Sequence, residues 1–273
     1  IRALRGGGAE RGTGSRDAAH GGIPGGDMAS AGQPSGVAEE QDEMVMSIKI
    51  FSDGANLEEM AAAQANPLIS GLTCNPSLMR KAGVRDYRAF AADVLRIVTK
   101  PISFEVFSDE WDEMERQARI IAGWGPNVYC KIPITNTRGE SACPLIGVLA
   151  ETGVKVNVTA VFTEQQARDA AGVLGASRAI ISVFAGRIAD AGVDPMPICW
   201  QAKRCAGVNT EILWASAREI FNLTQAQKSD CDIITLSPEL IAKLPLAGKD
   251  LDEYSLETVK MFHRDAAAAG YVL

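Results

Sequence analysis

Val128-Tyr129-Cys130-Lys131-Ile132-Pro133-Ile134 and Val154-Lys155-Val156-Asn157-Val158-Thr159-Ala160-Val161 are two short runs with the same construction. Successive side chains of a β-strand point to opposite faces. In the first run Val128, Cys130, Ile132 and Ile134 share one face, against Tyr129, Lys131 and Pro133. In the second, Val154, Val156, Val158 and Ala160 oppose Lys155, Asn157 and Thr159. Outward from this pair lie six more runs rich in Ile, Val and Phe: Lys49–Asp53, Leu68–Cys74, Ile102–Phe107, Ala179–Phe184, Glu211–Ser216 and Asp232–Leu236.

The intervals between these runs carry helix signals. Asn56 with Glu59 and Thr163 with Gln166 have capping-box spacing, and Ser237-Pro238 places a cap before a proline at the first helical position. Asp86–Val98 and Asp109–Gly123 repeat apolar residues every three or four positions. Strict alternation of strand and helix argues a parallel sheet. Eight units in about 230 residues is the size of a (β/α)8 TIM barrel of the α/β class. A doubly wound open sheet is the second choice, but no G-x-G-x-x-G follows the first strand.

Residues 1–46 differ in kind. They hold 11 of the 26 glycines and no periodic apolar face, so the expectation is a disordered leader that cannot offset its ordering entropy. It lacks the apolar core of a signal peptide and is too acidic for a transit peptide, and Met44 or Met46 is a more natural start than Ile1. The expected division is therefore a leader at 1–46, which could be foreign to the native protein, and a single barrel domain at 47–273.

Composition removes several function classes. A net charge of −7 argues against a general nucleic-acid binder, which needs a basic surface. No stretch approaches the roughly 18 apolar residues of a membrane span, and a cytoplasmic protein is expected. Only His20 and His263 are present, so a histidine metal centre or a Ser-His-Asp triad is not expected, and neither is a metal or organic cofactor. Cys74, Cys130, Cys143, Cys199, Cys205 and Cys231 form no C-x-x-C pair and read as free thiols.

Strand parity then separates an apolar phase, facing the helices, from a phase facing the barrel axis. The second carries Asp53, Ser103, Glu105, Phe107, Lys131, Asn157, Thr159, Ser182 and Phe184. Most of its polar members come late in their strands, at the rim where barrel active sites form. Each residue also has a plain structural reading. Lys131 could snorkel to solvent, Asp53 could begin a turn with Gly54, and Asn75 could cap a helix starting at Pro76. Glu105 could pair with a barrel lysine, and Arg187 and Arg218 could be surface arginines. A cation and two carboxylates inside one barrel are harder to place structurally, because each costs kcal/mol if unpaired.

Burial removes the water that favours an ammonium, and a neutral amine attacks carbonyls. The resulting iminium withdraws electrons, so a carbon–carbon bond β to it can break without a metal. Asp53 and Glu105 are candidates for the proton transfers, with Thr159 fixing a water. Arg187 after the sixth strand and Ser216 with Arg218 after the seventh make a candidate phosphate-monoester site.

Five segments in order resemble the motifs of the transaldolase family. They are Ile50-Phe51-Ser52-Asp53-Gly54-Ala55-Asn56, Gly71-Leu72-Thr73-Cys74-Asn75-Pro76-Ser77, Cys130-Lys131-Ile132-Pro133-Ile134-Thr135, Asn157-Val158-Thr159-Ala160-Val161-Phe162-Thr163 and Ile181-Ser182-Val183-Phe184-Ala185-Gly186-Arg187. The resemblance implies transfer of a dihydroxyacetone unit from sedoheptulose 7-phosphate or fructose 6-phosphate to glyceraldehyde 3-phosphate or erythrose 4-phosphate, in the pentose phosphate pathway and without a cofactor. It implies that Lys131 forms the Schiff base, that Asp53 is the acid/base at the cleaved hydroxyl, and that Glu105 and Thr159 relay protons through water. Asn75, Asn157 and Ser182 would hold the dihydroxyacetone moiety, and Arg187, Ser216 and Arg218 the phosphate. The related fructose-6-phosphate aldolases favour Gln at the position of Glu105 and Tyr at that of Phe184, so both residues here resemble true transaldolases. Cys74 and Cys130 depart from the pattern, and the barrel is compact beside the larger members, which leaves a homo-oligomer and the acceptor open. The alternatives to transfer are a Schiff-base aldolase that releases dihydroxyacetone and a catalytically silent barrel used for binding.

Overall fold

The computed structural model describes residues 48–273, so the expected leader and Ser47 lie outside the described residues. Eight parallel strands close into a barrel in sequence order: β1 (Lys49–Asp53), β2 (Ile69–Thr73), β3 (Ile102–Glu105), β4 (Val128–Pro133), β5 (Val156–Val161), β6 (Ala179–Val183), β7 (Thr210–Trp214) and β8 (Ile233–Leu236), with β8 pairing back onto β1. The helices are α1 (Leu57–Ala65), α2 (Pro76–Lys81), α3 (Tyr87–Ile97), α4 (Trp111–Ala122), α5 (Cys143–Glu151), α6 (Glu164–Leu174), α7 (Ala185–Asp190), α8 (Met196–Cys205), α9 (Phe221–Lys228), α10 (Pro238–Ile241) and α11 (Leu251–Ala269). The (β/α)8 expectation holds.

Local chemistry sets the helix starts. Thr163 and Gln166 close a full capping box on α6, while Asn56, Asn75, Asp86 and Ser237 each accept a first-turn N–H. Each such cap is worth about 1 kcal/mol. The faces that pack on the barrel are apolar and thin: Phe90, Ala91 and Val94 on α3, and Ala167, Ala170, Ala171 and Leu174 on α6. Alanines let a helix approach the strands closely. No residue of α11 is buried, and no helix among the described residues is long and apolar enough to cross a membrane.

Strand parity gives two separate apolar layers. Ile50, Leu72, Ile102, Phe104, Cys130, Ile132, Val156, Val158, Ile181, Val183, Ile212 and Trp214 join the helices in the outer core. Phe51, Tyr129, Ile180, Leu213 and Ile233 fill the barrel interior, with Phe184 against them. Gly71 lies directly under the Phe51 ring, where a Cβ would meet ring carbons at 2.5 Å. Phe107 does not belong to the axial phase. The third strand ends at Glu105, and Phe107 is 63% exposed, because its N–H bonds the Gln117 side chain rather than a sheet neighbour.

Candidate active site

Above the apolar plug the interior becomes polar around Lys131. This residue is 6% exposed, and sheet register places Glu105 of β3 and Asn157 of β5 on either side of it. Its Nζ lies 3.4 Å from Glu105 Oε2 and 6.0 Å from the centre of the Phe184 ring. The Arg187 guanidinium lies 5.3 Å from that ring. Phe184 is thus flanked by two cations, a contact worth about 0.5–2 kcal/mol depending on desolvation.

The two carboxylates belong to one electrostatic cluster. Burial pushes the Asp53 carboxyl up, and Lys131 and a hydrogen bond from Thr73 pull it back only partly. Burial likewise raises Glu105; the charge and hydrogen bond of Lys131 oppose this, Asp53 adds to it, and Arg187 lowers it slightly. Asp53 ends β1 in register with Thr73 at the end of β2, and the Thr73 hydroxyl donates to Asp53 Oδ1 at 2.7 Å.

A buried chain of side chains lies beside Lys131. Ser182 Oγ donates to Asn157 Oδ1 at 2.7 Å, and Asn157 Nδ2 donates to Ser103 Oγ at 3.0 Å. The chain fixes the Asn157 amide and leaves its second N–H out of these bonds. Thr159 is equally buried, but its Oγ1 has no hydrogen-bond partner among the described residues. The next residue, Ala160, has φ 56°, and the β5–β6 register breaks there. A non-glycine residue in the left-handed region costs about 1 kcal/mol or more, so strain sits immediately beside Thr159.

The phosphate-site candidates occupy the start of α7 and the loop after β7, which touch. Gly186 packs so closely on the β7 loop that a Cβ would fall 1.6 Å from the Ser216 carbonyl oxygen, and Ser216 itself has φ 65°. Arg218 is not free. Its Nε and Nη2 bind Asp190 Oδ2 at 3.1 and 2.5 Å. Both side chains are about half exposed, and such pairs are worth about 0–1 kcal/mol, so an arriving anion can take the guanidinium. Asn75 spends its amide oxygen on the N–H of Leu78, 3.0 Å away, which realises the capping reading and leaves the amide nitrogen outside that bond.

Residues 50–272 match the profile of the family Transaldolase/Fructose-6-phosphate aldolase. The chain belongs to that family. A probable transaldolase 2 of Listeria monocytogenes is 35% identical over 213 residues, which cover 76% of this chain and 94% of that protein. A probable transaldolase of Thermoanaerobacter sp. is also 35% identical over 213 residues, covering 76% of this chain and 95% of its own length. One from Roseiflexus castenholzii is 38% identical over 191 residues, or 69% and 85% of the two chains. Membership of the transaldolase/aldolase family makes this an enzyme of the transferase or aldolase type.

Within this family barrel the residues expected at the site fall into two groups. Lys131, Glu105, Asp53, Asn157, Ser182 and Thr159 line the interior, whereas Arg187 sits in the first turn of α7 after β6, and Ser216 and Arg218 on the loop after β7, above it. Three supports were not legible as such in the sequence reading. Thr73 holds Asp53, Ser103 anchors Asn157, and Asp190 engages Arg218. Parity of the second strand, with Gly71 and Thr73 on one face, carries a signal for Thr73; Asp190 lies in a helix and carries none. Cys74 and Cys130 belong to the outer apolar core rather than the site, and burial drives both thiols well above the ordinary cysteine range.

Proposed function

We propose that this barrel, taken as one catalytic domain from residue 47, is a transaldolase that moves a dihydroxyacetone unit between sugar phosphates through a Schiff base on Lys131. The observation that carries the reading is a lysine buried inside the barrel, ion-paired with one carboxylate and electrostatically coupled to a second. Glu105, whose carboxyl is driven upward by burial, receives the ammonium proton. The Lys131 amine then attacks the ketose carbonyl. Glu105, through a water held by Thr159, returns a proton to the carbinolamine oxygen, which leaves as water. Asp53 takes the proton of the hydroxyl at the bond to be broken, and the bonding pair flows into the iminium. The aldose departs, an enamine remains on Lys131, and an acceptor aldose phosphate reverses the steps. Asn75, Asn157 and Ser182 hold the dihydroxyacetone hydroxyls, Phe184 walls the site, and Arg187, Ser216 and Arg218 receive the phosphate. No cofactor is required for this electron flow. Sedoheptulose 7-phosphate and fructose 6-phosphate are the donors of this reading, with glyceraldehyde 3-phosphate and erythrose 4-phosphate as acceptors, in the cytoplasmic pentose phosphate pathway.

Glu105 and Phe184 favour transfer over release of free dihydroxyacetone, since the resemblance to simple aldolases fails at both positions. Borohydride reduction with fructose 6-phosphate, followed by peptide mapping, tests the assignment. The expected result is a dihydroxyacetone-derived adduct on Lys131, lost in Lys131→Met; an adduct on Lys155 instead would overturn it. Rapid glyceraldehyde 3-phosphate release without erythrose 4-phosphate would move the reading to aldolase.

A further inference from the structure

Far from Lys131 in the chain, the segment before β8 is bound to α8 by three contacts that this chemistry does not use. Trp200 Nε1 donates to the Lys228 carbonyl at 3.1 Å, and Lys203 Nζ meets Asp232 Oδ1 at 2.5 Å. Between these two contacts the side chains of Cys199 and Cys231 are neighbours. Cys231 also contacts the buried Ser229 hydroxyl at 3.5 Å. Both cysteines are free. Cys199 is wholly enclosed, whereas Cys231 retains some exposure and lines a cavity of about 370 Å³ with Lys203, Gln227, Asp230 and Asp232. One sulfur therefore faces a space large enough for a small molecule, and its partner lies behind it.

We propose that Cys231 and Cys199 form a reversible thiol–disulfide site, reached through this cavity by low-molecular-weight disulfides. Cys231 opens the reaction, because it borders the cavity while Cys199 is enclosed, and the neighbouring Cys231 together with burial drives the Cys199 thiol above the ordinary cysteine range. The Cys231 thiolate attacks one sulfur of the small disulfide and expels the first small thiolate, leaving a mixed disulfide. Cys199 then loses its proton, attacks the Cys231 sulfur and expels the second. Two protein thiols have lost two electrons and two protons, and one small disulfide has become two thiols. Asp230 and Asp232 outnumber the one lysine, Lys203, on the cavity wall, and this formal negative charge favours an uncharged reagent over an anionic one. Cys231 lies two residues before the start of β8, at the end of the barrel opposite the rim, where a covalent link acts on stability rather than chemistry.

The test treats the folded full chain, carrying Cys205→Ser to remove the exposed thiol, with hydroxyethyl disulfide and maps the peptides without reduction. The expected product is a Cys199–Cys231 cross-link with loss of two hydrogens. Tm should rise by roughly 5–10 °C for a closed loop of about 30 residues, with reversal by dithiothreitol and unchanged turnover. Adding Cys199→Ala should trap the mixed disulfide on Cys231. A mixed disulfide that stays on Cys231 while Cys199 is intact, or a Cys231 that takes no reagent, would overturn the proposal. The cross-link map decides alone if the Cys199 variant fails to fold.

Discussion

A hydroxyl buried inside a barrel without a protein partner costs the fold about 1–3 kcal/mol, and Thr159, beside the strained Ala160, has none among the described residues. Valine has the same shape and nothing to satisfy. Thr159→Val is therefore expected to leave Tm unchanged or higher, while kcat falls by about 100-fold or more if the hydroxyl serves proton transfer. A variant with unchanged kcat would reduce Thr159 to a packing residue. Thr73 gives the complementary case, because its hydroxyl lowers the Asp53 carboxyl that burial raises. Thr73→Val removes that donor, so the carboxylate form is disfavoured further and the acid limb of kcat/KM moves to higher pH. A pH–rate profile that does not move, or moves down, would separate Asp53 from that limb. The lysine, both carboxylates and Thr159 were legible from strand parity. Thr73 and Ser103 became visible as supports only once register joined separate strands.

Among the elements, α7 shows how one missing side chain positions a site. Gly186 lies against the Ser216 carbonyl, and this contact sets the start of α7, with Arg187, beside the β7 loop, with Ser216 and Arg218. Gly186→Ala would drive a methyl group into backbone that cannot fold away. The expected cost is about 1–3 kcal/mol of stability and a rise of at least about tenfold in KM for phosphorylated donors. Tm measurements and steady-state kinetics on phosphorylated and free ketoses check this; equal KM changes for both would mean a general collapse instead. All eight strands were readable because each is a short run rich in Ile, Val and Phe set between helix signals. Their ends were less so: Val154 and Lys155 precede β5, and Phe107 leaves β3 for the Gln117 side chain. The two-loop contact was unreadable for a different reason. A glycine in Phe184-Ala185-Gly186-Arg187 does not announce which backbone it must admit, and Asp190 reads as one more acid on a short helix.

For the barrel as a whole, the interior holds two acids and one base, Asp53, Glu105 and Lys131, a formal excess of one negative charge where water is scarce. Both carboxyls are raised, by burial first. A carboxyl raised on folding binds its proton more tightly in the fold than in the unfolded chain. Its stabilising contribution is complete below the unfolded pKa of about 4 and is lost as pH rises through the folded value. Above the folded values the barrel carries ionised groups that it would hold more easily as neutral ones. Asp53→Asn keeps an oxygen for the Thr73 hydroxyl, removes the excess charge and leaves Glu105 on Lys131. It is expected to raise Tm at pH 8 by roughly 2–4 °C, with the gain vanishing near pH 4 and activity lost throughout. Glu105→Gln should gain less or nothing, because it strips Lys131 of the carboxylate 3.4 Å away and leaves a buried cation without its neighbour. Thermal melts of both variants across this pH range decide the matter. An Asp53→Asn protein less stable than wild type at pH 8 would mean that attraction to Lys131 outweighs the burial cost, and the sign of the argument would reverse.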